Sequence, residues 1–129
     1  MYYLGVDGGG TRTTAVVADG NGNVLAKADG KSINYNSVGL IRAKENMREI
    51  ILWLLDACGI KKFHTAFIGM SAISTRAGMA ETKAFAACIM SSSIVDRLPY
   101  FHAYDPSIFV NASAMQSASD CSPAFSYVR

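Results

Sequence analysis

Cysteine is scarce and scattered: Cys58, Cys88 and Cys121 are the only three in 129 residues, and none forms a C-x-x-C pair. An odd, widely spaced set argues against a disulfide framework, a zinc site or an iron–sulfur cluster, and a reducing cytoplasm is the expected setting. No apolar run reaches the roughly 18 to 20 residues that a membrane helix needs, and no basic segment precedes "MYYLGVDGGG", so neither a membrane anchor nor a cleaved leader is expected. Basic and acidic residues are interspersed to a formal net charge of +2. With no basic run or one-sided basic helix, neither nucleic acid nor an anionic membrane is an expected partner.

What the chain does have is material for a core. Hydrophobic residues make up 50% of a length suited to one domain, enough to bury a sizeable interior. "YYLGVD" and "TTAVVAD" are rich in β-branched and aromatic residues and flank the glycines at 8–10, which reads as two antiparallel strands around a turn. "DGNG" at 19–22 signals a second hairpin, and "NVLAKAD" alternates as a third strand would. The chain is thus expected to begin with a three-stranded meander.

From Leu40 the period changes. Leu40, Ala43, Met47, Ile50, Ile51, Leu54, Leu55 and Cys58 fall at helical spacing, with Ser37 placed as an N-cap and Gly59 as a left-handed C-cap. "TAFIGMSAI" (65–73) is apolar without alternation, as in a strand covered on both faces, and a helix is expected over about 80–95. "YFHAYD" then reads as a strand, and "PSIFVNASAMQSA" as a helix with Asp105 at its cap and Pro106 in its first turn. The predicted order β-β-β-α-β-α-β-α gives a mixed sheet flanked by helices, in the α/β class. From 112 to 129 large aliphatic residues become sparse and the pattern fades.

The turn "VDGGGTRT" poses the functional question. A Walker loop would need a lysine after the glycines and a helix behind them; a dinucleotide fingerprint would need glycine where Thr13 stands, again opening a helix. Neither fits a strand-turn-strand context. Two readings remain. One is a tight hairpin in which Asp7 bonds its own turn. The other is a phosphate cradle: glycines without Cβ atoms let backbone N–H groups converge on an anion, Thr11 adds a hydroxyl, and Asp7 holds a hydrated magnesium ion.

These residues carry a resemblance. "GVDGGGTRTTAVVAD", with "GNVLAKADGKSINYNSVG" and the amphipathic helix behind it, resembles the N-terminal half of the N-acetylglucosamine kinase and BadF/BadG/BcrA/BcrD-type ATPase family. That family lies within the actin-like ATPase and sugar kinase superfamily of ribonuclease H-like folds. The resemblance implies ATP and Mg²⁺ as cofactors and a sugar or amino sugar as substrate. Gly8, Gly9, Gly10 and Thr11 would form the first phosphate loop, with Asp7 near the metal through water. Asn34 would contact the sugar, although by position alone it reads as a turn residue before the helix. Asp105 would take the proton from the sugar hydroxyl; an Asp-Pro helix cap is its plainer role, and the two are compatible.

The remaining polar residues have plainer expectations. His102 is expected to face the core or a neighbouring helix, His64 to be a solvated strand-edge residue, and Arg12 and Arg76 to lie on the surface. Ile73 and Ser74 depart from the Ser-Gly that amino-sugar kinases carry there, which puts the sugar's identity in question. "NAS" at 111–113 matches a glycosylation acceptor that has no role in the cytoplasm.

The family's enzymes close two lobes over ATP, whereas residues 1–129 read as a single N-terminal lobe without a second glycine cluster or adenosine loop. The chain is therefore expected to be truncated, its tail lying outside the homology, and the apolar face left by a missing lobe would favour a homodimer. Two rivals stand beside the kinase. One is an activating ATPase of the 2-hydroxyacyl-CoA dehydratase or benzoyl-CoA reductase type, whose cluster ligands would have to lie elsewhere. The other is a non-catalytic sugar- or phosphate-binding domain.

Overall fold

In a computed structural model of the chain, residues 1–71 are described in full, and 100–103 and 109–110 are described as strand backbone. The elements are β1 (Tyr2–Gly8), β2 (Arg12–Asp19), β3 (Val24–Lys31), α1 (Tyr35–Val38), α2 (Leu40–Cys58), β4 (Thr65–Met70), β5 (Tyr100–Ala103) and β6 (Phe109–Val110). They form one mixed sheet of order β3-β2-β1-β4-β5-β6. The β1-β2-β3 meander is antiparallel, β4 runs parallel to β1 and β5 parallel to β4, and β6 returns antiparallel. The expected meander and mixed α/β sheet are therefore present.

Alternation sorts the meander's side chains onto two faces. Across the covered face the register aligns three rows: Ala26, Val17, Leu4 and Ala66; Ala28, Ala15, Val6 and Ile68; Gly30, Thr13, Gly8 and Met70. The core on this face includes Leu4, Val6, Ala15, Val17, Ile68 and Met70, and α2 lays Ala43, Met47, Ile50, Ile51, Leu54 and Leu55 into the same cluster.

The third row decides how close the covering layer comes. A Cβ on Gly30 would lie 2.5 Å from Ile50 Cδ1, and one on Gly8 would lie 2.6 Å from Ile33 Cγ1. Both glycines are therefore notches that admit an isoleucine against the strand backbone. Between them Thr13 is fully buried, with no hydrogen-bond partner for its Oγ1 among the described residues.

Local chemistry explains the element ends. Asp19 accepts from the backbone N–H groups of Asn21 and Asn23, and from Asn23 Nδ2, each at 2.9 Å, while Gly22 takes φ 85° in the same turn. At the C-terminus of α2, Gly59 (φ 64°, ψ 28°) donates to Asp56 O and Ile60 N–H donates to Leu55 O, each at 3.0 Å. This paired closure of the last turn is a Schellman motif, with Ile60 packed back on the core.

Several expectations are corrected. Ser37 lies inside α1 and caps nothing. Asn34 caps α1 by accepting from Asn36 N–H, and α2 starts from Gly39, which caps without a side chain. The strand β4 is not covered on both faces: it alternates, with Ala66, Ile68 and Met70 buried and Phe67 43% exposed. His64 is half-buried, its ring edge-on to Tyr3 with centroids 5.7 Å apart. The helix expected after Pro106 is broken at Phe109–Val110, which pairs with Phe101 and His102 as β6; aromatic and β-branched side chains favour that state. The helix expected over 80–95, the tail from 112, and Cys88, Cys121, Ile73, Ser74 and Arg76 lie outside the described residues.

Two outcomes follow from the packing and the turn. Gly30→Ala is expected to destabilise the chain by about 1–3 kcal/mol, as overpacking does. Urea denaturation should show most of that loss disappearing in an Ile50→Ala background, because the colliding atoms are then gone. The bonds from Asn23 and Asn21 hold the Asp19 carboxyl below its ordinary value of 3.8. A depressed carboxylate stabilises above its unfolded pKa and loses that contribution as pH falls through the folded one. The Tm gap between the chain and Asp19→Ala should thus be full at neutral pH and shrink on acidification below about 3.8.

Candidate functional site

The strands β1, β3 and β4 share one direction, and their carboxyl ends bring Gly8, Lys31 and Met70 to the same edge of the sheet. In open α/β sheets this is the edge where ligands bind. The glycine hairpin, the segment 32–34 and Ser71 all follow directly from these ends. Strand β5, also parallel, ends at Ala103 on that edge; Asp105, the expected base, lies outside the described residues.

The hairpin is tighter than its three glycines suggest. Gly8 still pairs with Thr13 in the ladder, and Gly9 N–H donates to Arg12 O at 2.9 Å, leaving Gly10 and Thr11 as the tip. None of these glycines uses a positive φ; among the described residues that conformation belongs to Gly22, Gly39 and Gly59. Their value is the missing Cβ. At Gly8 it would strike Ile33, at Gly9 it would lie 3.0 Å from Arg12 O, and at Gly10 it would meet nothing within 4 Å. Gly8 and Gly9 therefore serve the packing, and Gly10 and Thr11 form the exposed tip.

Asp7 is exposed and sits on the opposite face of β1 from Gly8, between Thr14 of β2 and Gly69 of β4. It borders a shallow cavity of about 420 Å³ lined by Gly5, Asp7, Thr14, Val16, Phe67 and Gly69. Beside it, the Thr14 hydroxyl donates to Asp29 Oδ1 at 2.6 Å. That bond, reinforced by the charges of Lys27 and Arg12, holds the Asp29 carboxyl below its ordinary value. Arg12 is on the surface, as expected.

Asn34 is the predicted residue that the structure ties most closely to the hairpin. Its Oδ1 accepts from Asn36 N–H at 3.0 Å, and its Nδ2 donates to Ser71 Oγ at 3.3 Å. Beyond those two bonds the amide has one further N–H and one further lone pair. Ser71 N–H in turn donates to Gly8 O at 3.0 Å. Ser32, 5% exposed, joins the other side: its Oγ donates to Gly9 O at 3.1 Å and accepts from Asn34 N–H at 3.1 Å. Behind it, the buried Asn46 of α2 donates through Nδ2 to Ser32 O at 2.7 Å.

Ser32, Asn46 and Ser71 were not singled out from the sequence. Asn46 left a signal, as an amide among the apolar positions of an amphipathic helix, where a polar group requires a partner. Ser32 and Ser71 left none, because their roles depend on strands distant in sequence.

Comparison with known proteins places this geometry in a family. Residues 4–114 match the model of the BadF/BadG/BcrA/BcrD ATPase family. The chain belongs to that family. Over 53 residues, 41% of the chain, it is 42% identical to an N-acetyl-D-glucosamine kinase of Dictyostelium discoideum, and covers 17% of that protein. Among solved structures it is similar to a candidate N-acetylglucosamine kinase from Chromobacterium violaceum, with a TM-score of 0.59 and 22% identity, covering 79% of this chain and 34% of the other. The chain thus spans well under half the length of either relative. At 22% identity the likeness is one of fold, in agreement with the mixed α/β sheet described above. Among the described residues, no helix is long and apolar enough to cross a membrane.

The hairpin geometry separates its glycines experimentally. Gly8→Ala is expected to lower stability by about 1–3 kcal/mol through its collision with Ile33, while Gly10→Ala should stay within about 0.5 kcal/mol of the unaltered chain, as open surface sites do. Thermal unfolding of the two variants checks this; equal losses would contradict the assignment.

Proposed function

We propose that this chain is the N-terminal lobe of an ATP-dependent kinase that phosphorylates a sugar hydroxyl, with N-acetylglucosamine or a close relative as substrate, acting in the cytoplasm. Residues 1–129 supply one wall of the site and a second lobe the other. The observation that carries this reading is the juxtaposition of the Gly10–Thr11 tip and Asn34 at the carboxyl edge of the parallel strands, joined through Ser32 and Ser71. Membership of the ATPase family supports ATP as the nucleotide, and the matched kinase of Dictyostelium discoideum supports the amino sugar.

In this reading the Gly10 and Thr11 amides, with the Thr11 hydroxyl, face the nucleotide phosphates, and Gly8 and Gly9 keep the backbone where that approach is open. Asn34 uses its remaining N–H and lone pair on sugar hydroxyls. Asp105 accepts the hydroxyl proton as the phosphoryl group is transferred in line.

The residues present fit a magnesium ion. Mg²⁺ keeps several waters and binds through one or two carboxylates plus substrate phosphates, and Asp7 is an exposed carboxylate one residue before the end of β1. When bound, the ion would neutralise charge on the transferring phosphates. The chain's own part is to orient that hydrated ion through Asp7.

The family model by itself also covers the activating ATPases of the dehydratase and reductase type. The kinase reading is preferred because the matched sequence relative is a sugar kinase.

Titration of the isotopically labelled chain tests this by NMR. Magnesium ADP is expected to shift the Gly10 and Thr11 amides, and N-acetylglucosamine to shift the Asn34 side-chain amide. Absence of all these shifts at millimolar ligand would overturn the reading. Asp105→Asn should leave sugar binding within about threefold and, in protein completed by a second lobe, abolish turnover, since removing a general base costs about 10²–10⁴ in rate. A non-catalytic binding domain would show no turnover to lose.

A further inference from the structure

The polar contacts around the hairpin close on themselves. Gly9 O accepts from Ser32 Oγ, Ser32 Oγ accepts from Asn34 N–H, Asn34 Nδ2 donates to Ser71 Oγ, and Ser71 N–H donates to Gly8 O, one residue from the start. Ser32 is the only member of this ring that both donates and accepts through one atom. Its hydroxyl carries a single proton, which is committed to Gly9 O, and its oxygen receives the Asn34 amide. Asn46 fixes the Ser32 backbone from inside the core, which holds in place the Cα from which the hydroxyl reaches Gly9 O.

We infer that Ser32 is a positioning residue that couples the phosphate-facing tip to Asn34, so that occupation of one changes affinity at the other. This rests on the phosphate and sugar reading above. The coupling has a definite route. Gly9 C=O and Gly10 N–H belong to one peptide unit, so an anion on the Gly10 amide polarises that unit and makes Gly9 O a stronger acceptor. Ser32 Oγ–H then donates more strongly, its oxygen gains negative charge, and the bond from Asn34 N–H tightens; chains of hydrogen bonds polarise one another in this way. Asn34 is thereby drawn toward Ser32 and its amide reoriented. The Ser71 arm provides a second contact between Asn34 and the hairpin through the Gly8 carbonyl, but it lacks the donor-and-acceptor atom that would relay charge.

The test measures N-acetylglucosamine affinity of the full chain by NMR at the Asn34 side-chain amide, with and without saturating magnesium ADP. The unaltered chain is expected to show a change in sugar affinity of at least about fivefold, the lower range of allosteric coupling. Ser32→Ala should bind each ligand alone within about threefold of the unaltered chain while the coupling disappears, and Ser32→Thr should restore it. If Ser32→Ala does not fold, Ser32→Cys keeps the volume with weaker hydrogen bonds and should show reduced coupling. Full coupling in Ser32→Ala, or in a folded Ser32→Cys, overturns the inference. Both ligands binding independently in the unaltered chain also overturns it, while leaving the kinase reading intact. If neither ligand moves the tip or Asn34, that reading fails and the inference with it.

Discussion

The arrangement depends on how near the covering layer comes to the sheet. At Gly8 and Gly30 there is no side chain, and Ile33 and Ile50 occupy the space that a Cβ would fill. That approach brings the segment after β3 against the end of β1, which is why Ser32 reaches the Gly9 carbonyl and Asn34 reaches Ser71. It also seats α2 so that Asn46, buried among apolar neighbours, finds Ser32 O. An isoleucine side chain thus sets the position of a polar network it never joins.

A phosphate cradle of the kind proposed needs donors that are held in place yet unspent. On that reading the hairpin divides its labour. Gly9 N–H is consumed in closing the turn, and the Gly8 and Gly9 carbonyls by Ser71 and Ser32; on the proposed function, the tip amides are the ones that meet the ligand. A loop in which every donor was satisfied internally would be stable and inert; one in which none was satisfied would have no fixed geometry. Preorganised backbone donors of this kind are what phosphoryl transfer draws on.

The legible parts of the fold were those encoded over a few residues. The β-branched and aromatic residues of "YYLGVD" and "TTAVVAD", the helical spacing from Leu40 and the glycine at 59 each report a local preference, and each element appears. The helix start was misjudged because Asn34 and Ser37 are both good caps, and the choice between them rests on Asn34 also meeting Ser71, which lies 37 residues away. Phe67 was taken as interior because an apolar strand does not state how many of its faces are covered. The ring through Ser32 was illegible for the same reason: serine in a turn is ordinary, and only the strand register brings its hydroxyl to Gly9. Asp7 and Gly8–Thr11 were legible as a phosphate-cradle candidate from the glycines between two strands, whereas Asn34 was legible only through the family resemblance.

The strand β3 closes one side of the sheet as an eight-residue edge, with Val24 and Leu25 exposed. An edge that long and that apolar at one end is a template on which further strands can add, and chains that add in this way form aggregates. The other end is written differently. Lys27, Asp29 and Lys31 stand on its exposed face at alternate positions, so a strand laid alongside would have to strip water from charges of both signs. These residues serve no ligand in the account above; charges at alternate positions along an edge strand oppose its pairing with another chain.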